Sequence, residues 1–211
     1  MDDLELDLLA QSHTDLFVDE IRQQCRYASF AAADLNAAWE ISDSVERDER
    51  LFFAAQSLLS AAAMVSKLLW PVARSGARGR ARGEKLRTTL QITASPLVQS
   101  RSVRDSFEHF DERMDAVLAK SHQHPYVDQI VGPTDMLRFE VDTAVPNFLR
   151  RLDTDKGTVS VLNATVRIND LVDELLEIKR ACDKWLNGEL PGRILPISRT
   201  VIRMGERCTD R

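Results

Sequence analysis

Arg104 and His109 are the pair whose types and spacing point most directly to chemistry. A histidine changes charge near neutral pH, so it can take up or release a proton in a reaction. An arginine presents a planar fork of donors that matches a phosphate or a carboxylate. Both lie in the string RSVRDSFEHFDERMDAVL, residues 101–118. Its apolar positions Val103, Phe107, Phe110, Met114, Val117 and Leu118 recur at helical steps, which predicts a helix capped by Ser100 or Ser102 and running to about Lys120. At about 100° per residue, His109 falls roughly 130° from the centre of that apolar stripe, so it is not a core histidine of its own helix. Asp105 and Arg113 stand four residues before and after it and share its face. A carboxylate at Asp105 can orient the imidazole and raise its pKa. A solvated Asp–His–Arg ladder accounts for the same pattern, because exposed charge ladders are common.

The second candidate is basic. Residues 74–87 read RSGARGRARGEKLR, with three glycines and six basic side chains against Glu84. The glycines predict a mobile basic loop over 74–83, followed by a short helix from about Glu84 to Ala94. Arg78, Arg80 and Arg82, with Arg113, are the candidate contacts to RNA phosphates. A solubilising loop is the competing account, and the segment contains no aromatic on which a base could stack. His122 and His124 lie two apart, but no third ligand accompanies them, so no metal site and no cofactor is expected. Cys25 and Cys182 fall on apolar stripes, and neither they nor Cys208 forms a CxxC pair. Free thiols in a reducing cytoplasm are the expectation.

The segment Arg104-Asp105-Ser106-Phe107-Glu108-His109 resembles the R-x4-H form of the HEPN motif, in which a polar residue commonly follows the arginine. The resemblance implies an all-α fold and a metal-independent endoribonuclease that acts as a homodimer on RNA. Arg104 would hold the scissile phosphate, His109 would do acid–base work at the 2′-hydroxyl or the leaving oxygen, and Asp105 would orient it. Toxin–antitoxin or defence systems are the settings it implies, with an antitoxin-like protein as a further partner. The resemblance equally admits a non-catalytic protein of the same fold that binds nucleic acid, a nucleotide or a partner protein. Geometry adds a condition. On a straight helix Arg104 and His109 are about 140° apart and cannot converge on one phosphate. Either the helix begins near Arg104 or a second protomer supplies the missing partner.

The elements that would position these residues are helical. Sparse glycine and proline and abundant alanine and leucine favour helices. One helix is predicted from Thr14 to about Ile41, with Phe17, Ile21, Cys25, Ala28, Ala32, Leu35 and Trp39 as its stripe. A second runs from a Ser44 cap to Trp70 and is stopped by Pro71. Residues 121–134 read as a loop. Residues 147–163 alternate around Asp153-Thr154-Asp155-Lys156-Gly157 and predict a β-hairpin. A last long helix, capped by Asn169 or Asp170, carries Leu171, Leu175, Ile178, Cys182 and Trp185. The expected fold is mainly α: a four- or five-helix bundle with a small β-hairpin inserted before the last long helix. Residues 1–13 would be an acidic mobile arm, 14–188 a single HEPN-like helical domain, and 189–211 an extended tail. No stretch reads as a run of roughly 18 apolar residues, and the N-terminus is acidic where a signal peptide is basic. A cytoplasmic protein without a membrane partner is therefore expected. The net charge of −5 argues against broad nucleic-acid coating and leaves room for a local basic site.

Overall fold

The computed structural model describes residues 3–100, 105, 110–120, 126–133, 147–162 and 164–193, and the structural statements below concern these. Helix α1 spans Asp3–Ala38 and α2 spans Ser44–Leu69. They pack side by side along a seam rich in alanine, with Ala28, Ala31 and Ala38 of α1 and Ala54, Ala55, Ala61 and Ala62 of α2 all buried. Small side chains let two helical backbones approach closely, and Ile21, Leu51, Leu58 and Val65 fill the space beside them. The N-terminus of α2 is capped by Asp43, whose Oδ1 accepts from the backbone N–H groups of Val45 and Glu46 at 2.9 Å each. Ser44, the expected cap, is the first helical residue. The acidic segment 1–13 was expected to be an arm, but its described residues, from Asp3 on, belong to α1. By length and composition helix α2 is long and apolar enough to cross a membrane, and 56% of its apolar window is buried within the fold.

The expected basic loop over 74–83 is corrected. A 3₁₀ turn at Ala73–Ser75 leads into α3, Gly76–Thr89. Gly79 and Gly83 are four residues apart, so they share one face, and both are buried. A Cβ on Gly83 would stand 2.5 Å from Pro71 Cδ and 2.8 Å from the Leu69 carbonyl oxygen. The glycines therefore mark where this helix lies against the end of α2, and that contact offsets their intrinsic helix cost of about 1 kcal/mol each. A four-residue helix α4, Pro96–Gln99, follows. Its first amides, Leu97 and Val98, each donate at 3.0 Å to the Glu174 carboxylate from the last helix.

Helix α5 spans Phe110–Lys120. After it come β1 (Tyr126–Val131), β2 (Asn147–Asp153), β3 (Thr158–Val161), β4 (Ala164–Arg167) and α6 (Ile168–Leu186). The strands form one mixed sheet in the order β1-β2-β3-β4, with β1 parallel to β2 and the remaining pairs antiparallel. A four-stranded sheet overturns the expected helical bundle with a small hairpin. The predicted hairpin is present as β2–β3, but it is the middle of a sheet. Its turn is held by the buried Asp153 carboxylate, which accepts from the Asp155 and Lys156 amides at 3.2 and 3.1 Å and from Arg151 at 3.0 Å. Gly157, at φ +59°, completes it.

Leu152, Val159, Ala164 and Val166 of the sheet join the same core as the helices. On α6, Leu171, Leu175, Ile178, Cys182 and Trp185 are all buried, and the helix packs on α1. The chain beyond α6 is tied down as far as Arg193. That guanidinium, only 2% exposed, bonds Asp15 of α1 at 3.1 Å and also donates to the Trp185 carbonyl. The Trp185 indole N–H donates to the other Asp15 oxygen at 2.7 Å. Breaking such a buried pair from one side leaves an uncompensated charge.

Gly83→Ala should destabilise the protein by about 1–3 kcal/mol, because the new methyl collides with Pro71 and backbone and forces α3 away from α2. Urea unfolding would show a lower midpoint at unchanged slope. A raised midpoint would mean that the gain in helix propensity outweighs the contact.

Candidate functional site

Arg104 and His109 lie outside the described residues, as do His122 and His124. Asp105 is described and has helical backbone, and helical backbone is present again from Phe110. Asp105 and Arg113 are half-buried, and each already has an interaction partner.

Phe110, which follows His109 in the chain, meets the sheet. The Arg150 guanidinium of β2 lies 4.8 Å from the centre of the Phe110 ring, within the range of a cation–π contact. The same guanidinium bonds Asp128 of β1 at 2.6 Å. One arginine thus joins the two parallel strands to the first turn of α5. Sequence reasoning missed Arg150 as the link between the sheet and α5. The available signal was an arginine within an alternating strand, and it acquires meaning only once β1 is known to pair with β2.

The basic segment resolves into separate roles. Arg87 donates to the Leu69 carbonyl and lies 6.0 Å from the centre of the Trp70 ring. Arg82 approaches the Lys67 carbonyl at 3.5 Å and lies 5.1 Å from the centre of the Phe17 ring. Arg80 donates to the Ala73 carbonyl at 3.1 Å. The last carbonyls of a helix lack intrahelical donors and carry partial negative charge, so guanidinium groups gather there favourably. Arg82 and Arg87 therefore serve the C-terminus of α2, and Arg80 serves the 3₁₀ turn just beyond it. Of the three expected phosphate contacts on α3, Arg78 is exposed and makes no such contact among the described residues.

Two surface cavities lie along α3 and α6. One, of about 330 Å³, is bordered by Gln11, Thr14, Lys85, Thr89 and Trp185. The other, of about 290 Å³, is bordered by Gln91, Glu177, Arg180 and Lys184. Among the described residues neither lining contains a histidine or a cysteine. Among the described residues no group of three His, Cys, Asp or Glu is placed to hold a metal ion.

Cys25 of α1 and Cys182 of α6 are buried. Burial pushes the Cys25 thiol up to about 12, with the Asp183 carboxylate acting in the same direction and Lys179 against it. Cys182 is pushed up further, mainly by burial and then by its neighbour Cys25. The thiolate is the reactive form, so these residues are core material and not nucleophiles.

No family model matches the chain, and neither a curated protein nor a solved structure matches it.

The capping roles and the buried thiols each give a test. Arg82→Ala should lower the melting temperature by several degrees, through loss of a ring contact and a carbonyl partner of about 1–2 kcal/mol together. Arg78→Ala should leave it within about 1 °C, as expected of an exposed position. Equal losses would refute the division of labour. In a Cys208→Ser background, Cys25 and Cys182 should resist a thiol-specific disulfide reagent at pH 8 for hours and react within minutes in denaturant. Rapid labelling of the native protein would contradict their burial.

Proposed function

We propose that this protein is a metal-independent endoribonuclease of HEPN type, with Arg104 and His109 as its catalytic pair and a homodimer as its working form. The observation that carries the reading is the R-x4-H string of residues 104–109. Helical backbone at Asp105 and from Phe110 agrees with the reading, whereas the four-stranded sheet departs from the all-α fold that the resemblance implies.

The chemistry requires two kinds of group and no redox partner. The 2′-oxygen of the RNA attacks the adjacent phosphorus, a bond forms there, and the bond from phosphorus to the 5′-oxygen breaks. His109 takes the proton from the 2′-hydroxyl or supplies one to the departing 5′-oxygen. Arg104 holds the phosphate and stabilises the charge that builds on its oxygens. Asp105 would set the orientation of the imidazole. Because Arg104 and His109 would diverge on a straight helix, either a helix that begins near Arg104 or the pairing of two protomers would let an arginine and a histidine face the same phosphate.

The second reading is a non-catalytic binding protein with the same helices. The engagement of Arg80 and Arg82 by backbone carbonyls favours it, since two of the expected phosphate contacts already have structural partners.

RNA cleavage by the purified protein in EDTA separates the two. The wild type should cut, and His109→Ala and Arg104→Ala should each lose at least about 100-fold in rate while keeping the wild-type melting temperature. No cleavage across structured and unstructured RNAs, or equal cleavage by all three proteins, would leave the binding reading.

A further inference from the structure

Where α3 ends, the chain meets the outer side of α6. The hollow between them, of about 290 Å³, is bordered by Gln91 on one side and by Glu177, Arg180 and Lys184 on the other. Arg180 and Lys184 are four residues apart, so they share one face of α6. Both are exposed, and neither makes an ion pair among the described residues. Lys179 beside them is already held by Asp183 at 2.7 Å. Gln91 is a second, independent signal. It is a non-glycine residue at φ +54°, in the left-handed region. It stands just past α3, where the Gln91 and Ile92 amides donate to the Thr88 and Arg87 carbonyls at 3.2 and 2.9 Å. Glycine is the usual residue at such a cap. Helix α6 ends on the same pattern with Gly188, at φ +78°. Glutamine thus replaces glycine at the cap that borders the hollow, and strained backbone tends to collect at ligand sites.

We propose that this hollow binds a phosphate group, held by the Arg180 guanidinium, the Lys184 ammonium and the side-chain amide of Gln91. The arginine fork matches phosphate oxygens, the lysine adds a compact charge, and the amide NH2 adds a neutral donor. A cationic ligand would meet two positive side chains against the Glu177 carboxylate. The last carbonyls of a helix repel an anion, but here they are already taken. Leu90, Gln91 and Ile92 amides donate to those of α3, and Asn187, Gly188 and Glu189 amides to those of α6. The wider field agrees. Residues 74–87 carry six basic side chains against Glu84 in a chain of net charge −5, so positive charge is concentrated on the helix that ends at this hollow. A free phosphate ion and a backbone phosphate of an RNA strand offer the same chemistry. The strand is the source that the cleavage reading requires, and to that extent the inference rests on that reading.

Fluorescence anisotropy of the full chain with a labelled 2′-O-methyl oligonucleotide in EDTA measures strand binding without cleavage. Failure of this site and failure of catalysis are therefore read separately. Arg180→Ala with Lys184→Ala should weaken binding at least about tenfold. It should also reduce the slope of log affinity against log salt by about 1.4, the share of two phosphate contacts on a single strand. Arg50→Ala with Arg167→Ala removes the same charge near the starts of α2 and α6, each well over a Debye length from the hollow along its helix, and should change affinity less than about twofold. Gln91→Gly should raise the melting temperature by about 2 °C and still weaken binding, a combination that a purely structural glutamine would not give. Calorimetric titration with inorganic phosphate is the second arm. Saturation by the wild type and none by the Arg180/Lys184 variant, with no oligonucleotide bound, would assign the hollow to the free ion. A wild type that binds neither probe overturns the proposal, as does an Arg180/Lys184 variant with wild-type affinity or an equal loss in the Arg50/Arg167 pair. A stabilised Gln91→Gly with unchanged affinity would strike Gln91 from the site.

Discussion

The close approach of α1 and α2 is the constraint on which the remaining structure is built. Alanines along the seam let the two backbones lie near each other, and the larger residues beside them are packed accordingly. The other elements are then fixed by reference to this pair. Helix α6 lies along α1 and contributes Cys182 beside Cys25. Helix α3 folds back over the end of α2, where Gly83 admits Pro71 and where Arg82 and Arg87 meet the last carbonyls. Glu174 of α6 caps α4. Asp15 holds Trp185 and Arg193. In several of these places a charged side chain satisfies backbone groups that helix ends leave without partners, which is where charge is most useful inside a fold.

The sheet is the second frame. It contributes Leu152, Val159 and Val166 to the common core, so it is not an appendage. Through Arg150 it also touches the first turn of α5. The candidate catalytic histidine immediately precedes that turn in the chain. The Arg150 guanidinium, shared between Asp128 of β1 and the Phe110 ring, ties that turn to the two parallel strands.

Sequence and structure agree where the physics is local and periodic. The stripe Leu171, Leu175, Ile178, Cys182 and Trp185 is buried as its spacing requires, because α6 meets the body along one side. On α1 the agreement is partial. Ile21, Cys25, Ala28 and Leu35 are buried as expected, but Val18, Ala31 and Ala38 are buried while Trp39 is 42% exposed. That helix packs on both α2 and α6, and a single stripe does not describe two contacts. Residues 74–83 failed for a different reason. Glycine lowers helix propensity at any position, and its value here lies in a contact with Pro71 that no local pattern records. Strand β1 was hidden in a segment read as a loop, and β4 has only four residues. Parallel pairing of β1 with β2 is a non-local fact. The string of residues 104–109 is read from sequence alone, and the contact of Arg150 with Phe110 beside it was not legible there.

The central claim is that His109 and Arg104 promote attack by a ribose 2′-oxygen on its own phosphate. The most direct measurement uses one RNA that the protein cuts at a mapped bond, beside the same strand with a single 2′-deoxy sugar at that position. The account predicts that the deoxy strand stays intact at that bond, and that the natural strand yields fragments ending in a 2′,3′-cyclic phosphate and a 5′-hydroxyl. Cleavage of both strands at the same bond and rate would show that the nucleophile is not the 2′-oxygen, and would contradict the account.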